Sequence, residues 1–468
     1  MNIYILTEGG SNIGLGHISR CSSIYQAFKE RGYDPKFIVN TDENVNNEDY
    51  IVSNWIEDND FLENADIVII DSYLADKTLF DEFASKIPLM VFLDDNKRIN
   101  YPKGIVVNGT VLASNLNYPS KHDLIYFLGS EYIPLREEFW QNNDIQIKDK
   151  IETILITLGG NDLRNLTPGI LDLLSKNFSD LNKKVIIGNS FSNKEEIEKA
   201  ADDKTELIYG PDASGMLNAM LNSDIAVSAS GQTLYELACT GLPTIAIGVI
   251  DNQINNIRNW QEQGFIYYAG CWNNPDLFDN IIKGIENIDR YESHFKGISA
   301  VDGQGSRRIV KHILNQYIRN NSVFREIKNE DCLKIFEIAN DDEVRESSFN
   351  SDKIDLKNHK IWFENILKDD STKFFVLEFE NDIVGQIRFD FDEEYPVISI
   401  SLNKKYRGLS LSKFLFSKGL EAIGEDIVLA YIKPENKRSI GFFESIGFEF
   451  EEECIIKGND ALKFVYRG

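Results

Sequence analysis

No stretch of this 468-residue chain stays apolar long enough to span a bilayer, and no basic-then-apolar segment opens it. A membrane protein is not expected, and neither is an exported one; the reading is cytoplasmic. Positive charge is scarce. Lys plus Arg number 49 against 75 Asp plus Glu, a formal net charge of −26, which excludes nucleic acid or an anionic membrane as general partner. A nucleotide ligand stays open, because one local site can be neutral or positive on an acidic surface. Cysteine is sparse as well. Cys21, Cys239, Cys271, Cys332 and Cys454 are odd in number, far apart and without metal-like spacing, so they read as reduced, mostly buried thiols. Internal repeats and low-complexity tracts are missing. What remains is ordinary globular composition, 42% apolar and 26% charged, over a length that suits two or three domains.

Short apolar strands alternate with amphipathic helical stretches from residue 1 to 145, the pattern of an open parallel sheet. Strands are expected at Ile3–Leu6, Phe37–Val39, Ile67–Ile70, Met90–Leu93 and Ile105–Val107. Three lead straight into polar residues, Asp71-Ser72-Tyr73, Asp94-Asp95 and Asn108, where the crevice of such a sheet lies. After a polar crossing at Gln141–Lys150 the alternation restarts, with strands at Thr153–Leu158, Val185–Ile187, Ile225–Val227 and Thr244–Ile247. This second Rossmann-like half is assigned 146–318. Arg319-Asn320-Asn321-Ser322 reads as a linker to a third, α+β domain over 322–468, with a helix near Asp331–Asn340 and strands near Phe374–Glu378, Ile383–Phe391 and Val397–Leu402.

Chemistry concentrates at glycine turns. Thr7 to Asn12 make a polar turn after the first strand, and Gly14-Leu15-Gly16-His17 then opens a helix carrying Ile18, Cys21, Tyr25 and Phe28 up to Gly32. A strand, a glycine loop and a helix N-terminus make an anion site. His17 is either a hydrogen-bonded structural residue or, since the helix dipole favours the neutral ring, a general base beside a phosphorylated ligand. The second loop, Ser230-Gly231-Gln232-Thr233 with Glu236 one turn on, can hold a diphosphate and ribose hydroxyls, or it is a capped helix with a solvated carboxylate. Metal is not called for: Asp94 and Asp95 are sequential and point apart in a strand, and backbone dipoles can stabilise a leaving diphosphate.

Taken as a set, Gly14 to Cys21, Asp71-Ser72-Tyr73, Leu135-Arg136-Glu137-Glu138-Phe139, Leu158 to Asp162, Gly231 to Glu236, Asp251-Asn252-Gln253 and Asp302-Gly303-Gln304-Gly305 resemble the UDP-sugar hydrolases of pseudaminic acid biosynthesis, relatives of the GT-B glycosyltransferases. The resemblance covers residues 1 to about 315. It implies two Rossmann-like domains in a GT-B arrangement and release of UDP from UDP-2,4-diacetamido-2,4,6-trideoxy-β-L-altropyranose by water at the anomeric carbon. His17 would be the base and Tyr73 would orient it or the water. Gly14, Gly16, Arg20, Asp71, Asn161, Ser230, Gly231, Gln232, Thr233, Glu236, Asn252, Gln253 and Asn256 would contact the UDP-amino-sugar. A GT-B transferase or a hydrolysing 2-epimerase is the alternative on the same residues.

In the C-terminal part, Arg407-Gly408-Leu409-Ser410-Leu411-Ser412 follows a strand and opens a helix, so its backbone donors can cradle a pyrophosphate; an ordinary capped helix is the other reading. Together with Ile432 to Ser439 and Phe442-Phe443, this resembles the GNAT N-acetyltransferases. The resemblance implies acetyl-CoA as cosubstrate, bound by Leu402, Arg407, Gly408, Leu409, Ser410, Leu411, Ser412, Asn436 and Phe443, with Glu343 or His359 deprotonating an amine. Phe443 stands where the family often has the tyrosine that reprotonates the leaving thiolate, so the proton must come from elsewhere. The two activities would be consecutive, acetylation of a UDP-4-amino-sugar and then loss of UDP, with other nonulosonate-pathway enzymes as expected partners. A GNAT-like module that only binds is the alternative.

Overall fold

A computed structural model describes residues 1–10, 16–41, 50–141, 144–250 and 254–468. Ser11, Asn12, Gly14, Leu15, Asp251, Asn252, Gln253 and part of the expected crossing at Gln141–Lys150 lie outside the described residues. The chain divides into two compact units, Met1–Val310 and Lys311–Gly468.

The first unit holds two parallel sheets, each with helices between its strands. In the first sheet the strands are β1 (Ile3–Gly9), β2 (Lys36–Thr41), β3 (Ile51–Val52), β4 (Ile67–Asp71), β5 (Leu89–Leu93), β6 (Gly104–Asn108) and β7 (Leu124–Leu128), in spatial order β3-β2-β1-β4-β5-β6-β7. The second sheet contains β8 (Thr153–Thr157), β9 (Asn182–Ile187), β10 (Thr205–Tyr209), β11 (Ile225–Ala229), β12 (Thr244–Gly248) and β13 (Ile266–Cys271), in order β10-β9-β8-β11-β12-β13. β1, β4, β5, β11 and β12 are buried along their whole length. Burial on both faces is why these strands read as unbroken apolar runs. The order reverses between β1 and β4 and again between β8 and β11, and ligands settle in the crevices at such points.

The second unit is a seven-stranded sheet of β14 (Val323–Glu326), β15 (Thr372–Phe379), β16 (Asp382–Asp390), β17 (Val397–Leu402), β18 (Ile427–Ile432), β19 (Phe448–Ile456) and β20 (Asn459–Arg467), in order β14-β15-β16-β17-β18-β20-β19. Its neighbours pair antiparallel except β17 and β18. These two meet at a single pair, Val397 with Leu429. Beyond that pair they part, and a cavity of about 1110 Å³ opens between and around them. The expected class, parallel α/β followed by an α+β part, is thus the class observed.

Three expectations need correcting. Thr7, Glu8 and Gly9 belong to β1 rather than to a turn after it, and their pairing with β2 extends the strand. Arg319-Asn320-Asn321 is not a linker but the end of the helix Gly305–Asn321. Its apolar stripe, Ile309, Val310, Ile313, Leu314, Tyr317 and Ile318, is buried, and the polar tail is simply the outer face of the last turn. Asp94 and Asp95 stand in the turn after β5 rather than inside a strand. Their carboxylates nonetheless go separate ways, Asp94 to the Tyr118 hydroxyl at 2.6 Å and Asp95 to the Tyr73 hydroxyl at 2.7 Å.

One buried ion pair organises the start of the second unit. Arg325 on β14 reaches both carboxylate oxygens of Asp331 at 2.7 and 2.9 Å, and Asp331 also accepts from the Lys328 backbone at 2.7 Å. Burial pushes the Asp331 carboxyl up, but Arg325 and the backbone donor outweigh it and hold it below the usual range. A depressed folded value means stability that is present above the ordinary Asp value of about 3.9 and lost as pH falls through the folded one. Asp331→Ala leaves Arg325 with Glu378 alone, at 2.6 Å, and is expected to cost about 1–2 kcal/mol. Chemical denaturation of the wild type and variant at neutral pH and below pH ~4 checks both statements, the gap closing at the lower pH.

Candidate active sites

His17 lies in the first turn of the helix Gly16–Glu30 and is buried, at 6% exposure. The neighbouring strand supplies its partner: Asp71 ends β4, paired in register with Thr7 of β1. His17 Nδ1 is 2.7 Å from Asp71 Oδ1. Arg20, one turn on along the same helix, donates to both Asp71 oxygens at 2.9 Å and to Asp95 at 3.4 Å. Burial pushes the Asp71 carboxyl up, but the Arg20 charge and the hydrogen bonds from Arg20 and His17 outweigh it, so it is held below the ordinary range. An ionised Asp71 settles the ring's tautomer. Arg20 Nη2 also lies 3.0 Å from Nδ1, yet a bare Nδ1 lone pair would face the carboxylate, so the proton belongs on Nδ1. Nε2 is left as the acceptor.

Tyr73 sits edge-on to this ring, centroids 4.7 Å apart, with its hydroxyl donating to Asp95. Burial and then the Asp95 charge push the phenol well above its usual range. The loop carrying Tyr73 is held from below by Glu8 at the end of β1, which is fully buried. Glu8 accepts from the Ser72 hydroxyl, from the Tyr73 backbone at 2.5 Å and from Leu74 at 3.1 Å.

The second loop meets the first half of the unit through residues 134–136. Gln232 donates to the Pro134 carbonyl at 3.0 Å, and Arg136 to buried Glu236 at 2.8 Å. Burial raises the Glu236 carboxyl beyond what Arg136 offsets. The Leu135 carbonyl accepts from Ser23 on the His17 helix. Ser230 is buried with its hydroxyl on the Ile247 carbonyl at 3.2 Å, while Gly231 and Thr233 are half-buried where the helix Thr233–Cys239 begins. Asn256 accepts from Tyr235 at 2.8 Å and reaches the Ser230 carbonyl at 3.5 Å. Asn161 is exposed; its neighbour Asp162 caps the helix Thr167–Asn177 through Leu166 and Thr167 at 3.0 and 2.9 Å. A Cβ at Gly16 would meet nothing within 4 Å. Glu8 was not expected at the site, and Asp95, placed at the crevice, and Arg136, part of a motif, were given no role. The fold supplies their roles, since their partners stand 65, 22 and 100 positions away.

In the second unit Leu402, Arg407, Ser412, Asn436 and Phe443 all line the cavity. Gly408 and Ser410 take left-handed backbone conformations, φ 76° and 59°. Glycine adopts that region freely and serine only at a cost. Leu409 and Leu411 are buried, so only their backbones can serve a ligand. The Arg407 guanidinium turns to Asp341 at 2.5 Å, Glu343 at 3.3 Å and the Leu402 carbonyl at 3.2 Å. Glu343 is shared with Arg438 at 2.6 Å. Asn436 caps the helix Lys437–Ser445 through the Ser439 backbone at 3.0 Å. His359 lines the cavity with Nε2 on the Cys332 carbonyl at 3.1 Å, and burial holds the ring below its usual value. Phe443 packs against Phe442 and Phe448, centroids 5.2 and 4.9 Å apart.

Residues 322–449 match the acetyltransferase (GNAT) domain family. An uncharacterized protein of Methanocaldococcus jannaschii is 26% identical over 96% of this chain and 97% of its own. The pseudaminic acid cytidylyltransferase and UDP-2,4-diacetamido-2,4,6-trideoxy-beta-L-altropyranose hydrolase of Helicobacter pylori is 26% identical over 60% of this chain, which spans about half of that relative at 51%. The spore coat polysaccharide biosynthesis protein SpsG of Bacillus subtilis is 22% identical over 68% of this chain and 99% of its own. Both resemblances read from the motifs return in these matches, the GNAT domain at the C-terminus and the sugar-nucleotide hydrolase elsewhere. Among the described residues no helix is long and apolar enough to cross a membrane.

Because three donors rest on buried Glu8, Glu8→Ala is expected to destabilise the first unit by about 2–4 kcal/mol. Thermal unfolding measures it, and a change under 0.5 kcal/mol would contradict the assigned role.

Proposed function

We propose that the chain is a bifunctional enzyme of pseudaminic acid biosynthesis. The GNAT domain acetylates the 4-amino group of a UDP-4-amino-sugar, and the Met1–Val310 unit hydrolyses the resulting UDP-2,4-diacetamido-2,4,6-trideoxy-β-L-altropyranose to UDP and free sugar. The observation that carries the hydrolytic half is the His17–Asp71 contact of 2.7 Å, itself locked by Arg20. With its proton held on Nδ1, His17 takes a proton at Nε2 from a water that attacks the anomeric carbon. As the new C–O bond forms, the bond to UDP breaks and the imidazolium is stabilised by Asp71. The loop Ser230–Thr233 and the Asn252–Asn256 segment hold diphosphate and sugar, and Glu236 accepts from the ribose. The two halves act as the facing halves of a GT-B-like enzyme.

The acetylating half is supported by the GNAT match and by the cavity where β17 and β18 part. Bound acetyl-CoA supplies an activated acetyl group. Backbone donors from Gly408 to Ser412 face its pyrophosphate, and Asn436 flanks the slot. Glu343 is engaged by two arginines, which leaves its carboxylate little freedom to act as a base.

His17→Asn is expected to abolish UDP release while the substrate still binds. Asp71→Asn offers an amide that favours the wrong tautomer and should lower kcat by about 10²–10⁴. Incubation of the 4-amino UDP-sugar with acetyl-CoA, followed by NMR of both products, tests the whole. UDP that appears only when a hydroxyl acceptor is added would make the unit a transferase, and near-normal turnover by His17→Asn would remove it as the base.

A further inference from the structure

Phe443 cannot return a proton to the leaving sulfur, and its ring is buried in an aromatic stack with Phe442 and Phe448. Another donor has to reach the slot between β17 and β18. Among the described residues, Tyr431 is the only tyrosine that lines the cavity. It stands on β18 two residues beyond Leu429, the last residue of that strand to pair with β17, and so at the point where the slot opens. Its hydroxyl donates to Glu393 Oε2 at 2.8 Å, and Glu393, in the loop between β16 and β17, lines the same cavity. An acid and a base thus share one hydrogen bond on the wall of the cavity, Glu393 exposed and Tyr431 half-buried.

We propose that Tyr431 and Glu393 form the proton relay of the acetyltransferase site, in place of the absent tyrosine at position 443. The proposal rests on the acetyl-transfer reading above. The amine nitrogen bonds to the thioester carbonyl carbon, and the C–S bond breaks with its electron pair on sulfur. The surplus proton on nitrogen passes to the Glu393 carboxylate. Glu393 then donates to Tyr431 Oη as the phenol gives its own proton to sulfur. One proton leaves nitrogen, one arrives at sulfur, and both side chains finish as they began. Burial first, and then the Glu393 charge, push the phenol up to about 12. It therefore stays protonated through the neutral range, ready to donate. Lys463 on β20, which acts against this rise, and Cys454 on β19 are the other titrating groups that act on it.

The test uses the full chain and Tyr431→Phe, a change that keeps the ring. CoA alone is titrated into each protein, and the thiol of the bound CoA is followed across pH by its thiolate absorbance. The phenol stabilises the thiolate, so the variant should show the bound thiol ionising about one unit higher, a tenfold shift, with CoA affinity within about twofold. With the 4-amino UDP-sugar and acetyl-CoA, kcat should fall about 100-fold or more at nearly unchanged KM. An unchanged thiol titration overturns the relay, and if kcat has also fallen it moves Tyr431 to the acceptor side. A shifted titration with kcat within about threefold of wild type overturns it too, since another group then returns the proton. Failure of the wild type to acetylate the amino-sugar while binding CoA refutes the acceptor assignment, and the titration still decides Tyr431. No CoA binding by the wild type refutes both.

Discussion

A single buried carboxylate, Asp71, ties the first unit together. It ends β4 beside β1, accepts both arms of Arg20 and receives the proton of His17 Nδ1. An unpaired charge at such depth costs several kcal/mol, so the chain must keep Arg20 and His17 on it together. That requirement fixes the rotation of the helix Gly16–Glu30, because residues 17 and 20 are a turn apart on one face. It also fixes which imidazole nitrogen is free. The reversal of strand order between β1 and β4 makes the meeting possible, since such a point brings the start of the helix Gly16–Glu30 and the end of β4 to the same crevice.

The second loop gains its position from a segment with little regular structure. Pro134 and Leu135 offer carbonyls, one to Gln232 and one to Ser23, and Arg136 neutralises Glu236. Three consecutive residues therefore touch the helix that carries His17 and the loop set opposite it in the sequence. A backbone carbonyl serves this purpose better than a long charged side chain, because its position is set by the chain and loses no rotamer entropy. The Arg136–Glu236 pair engages one carboxylate oxygen, which the ribose of the proposed ligand would have to share.

Strands buried on both faces were legible, because burial leaves a continuous apolar run such as Ile67–Ile70. The half-buried β7, Leu124–Leu128, and β13, Ile266–Cys271, passed unread although their residues are largely apolar as well. Site residues followed the same logic. His17, Asp71 and Tyr73 sit at turns that local patterns mark, whereas Glu8 hides inside a strand and Arg136 in a loop without a glycine signal. Their roles come from partners far along the chain, and no local spacing records that. Ser410 shows the converse. Its φ of 59° puts a serine in backbone that glycine adopts freely, which no residue pattern in the sequence records.

Each unit places a carboxylate against the group that is to move a proton, with opposite results. An imidazole has two nitrogens, so Asp71 can fix one and leave the other as a base. A phenol has one oxygen and one proton, for which the Glu393 carboxylate and a thiolate on sulfur compete. Full transfer to sulfur requires Glu393, protonated by the amine, to return a proton to the phenol oxygen. Proton return to sulfur is therefore coupled to proton loss from nitrogen, and Phe443, which carries no proton to give, offers no second route.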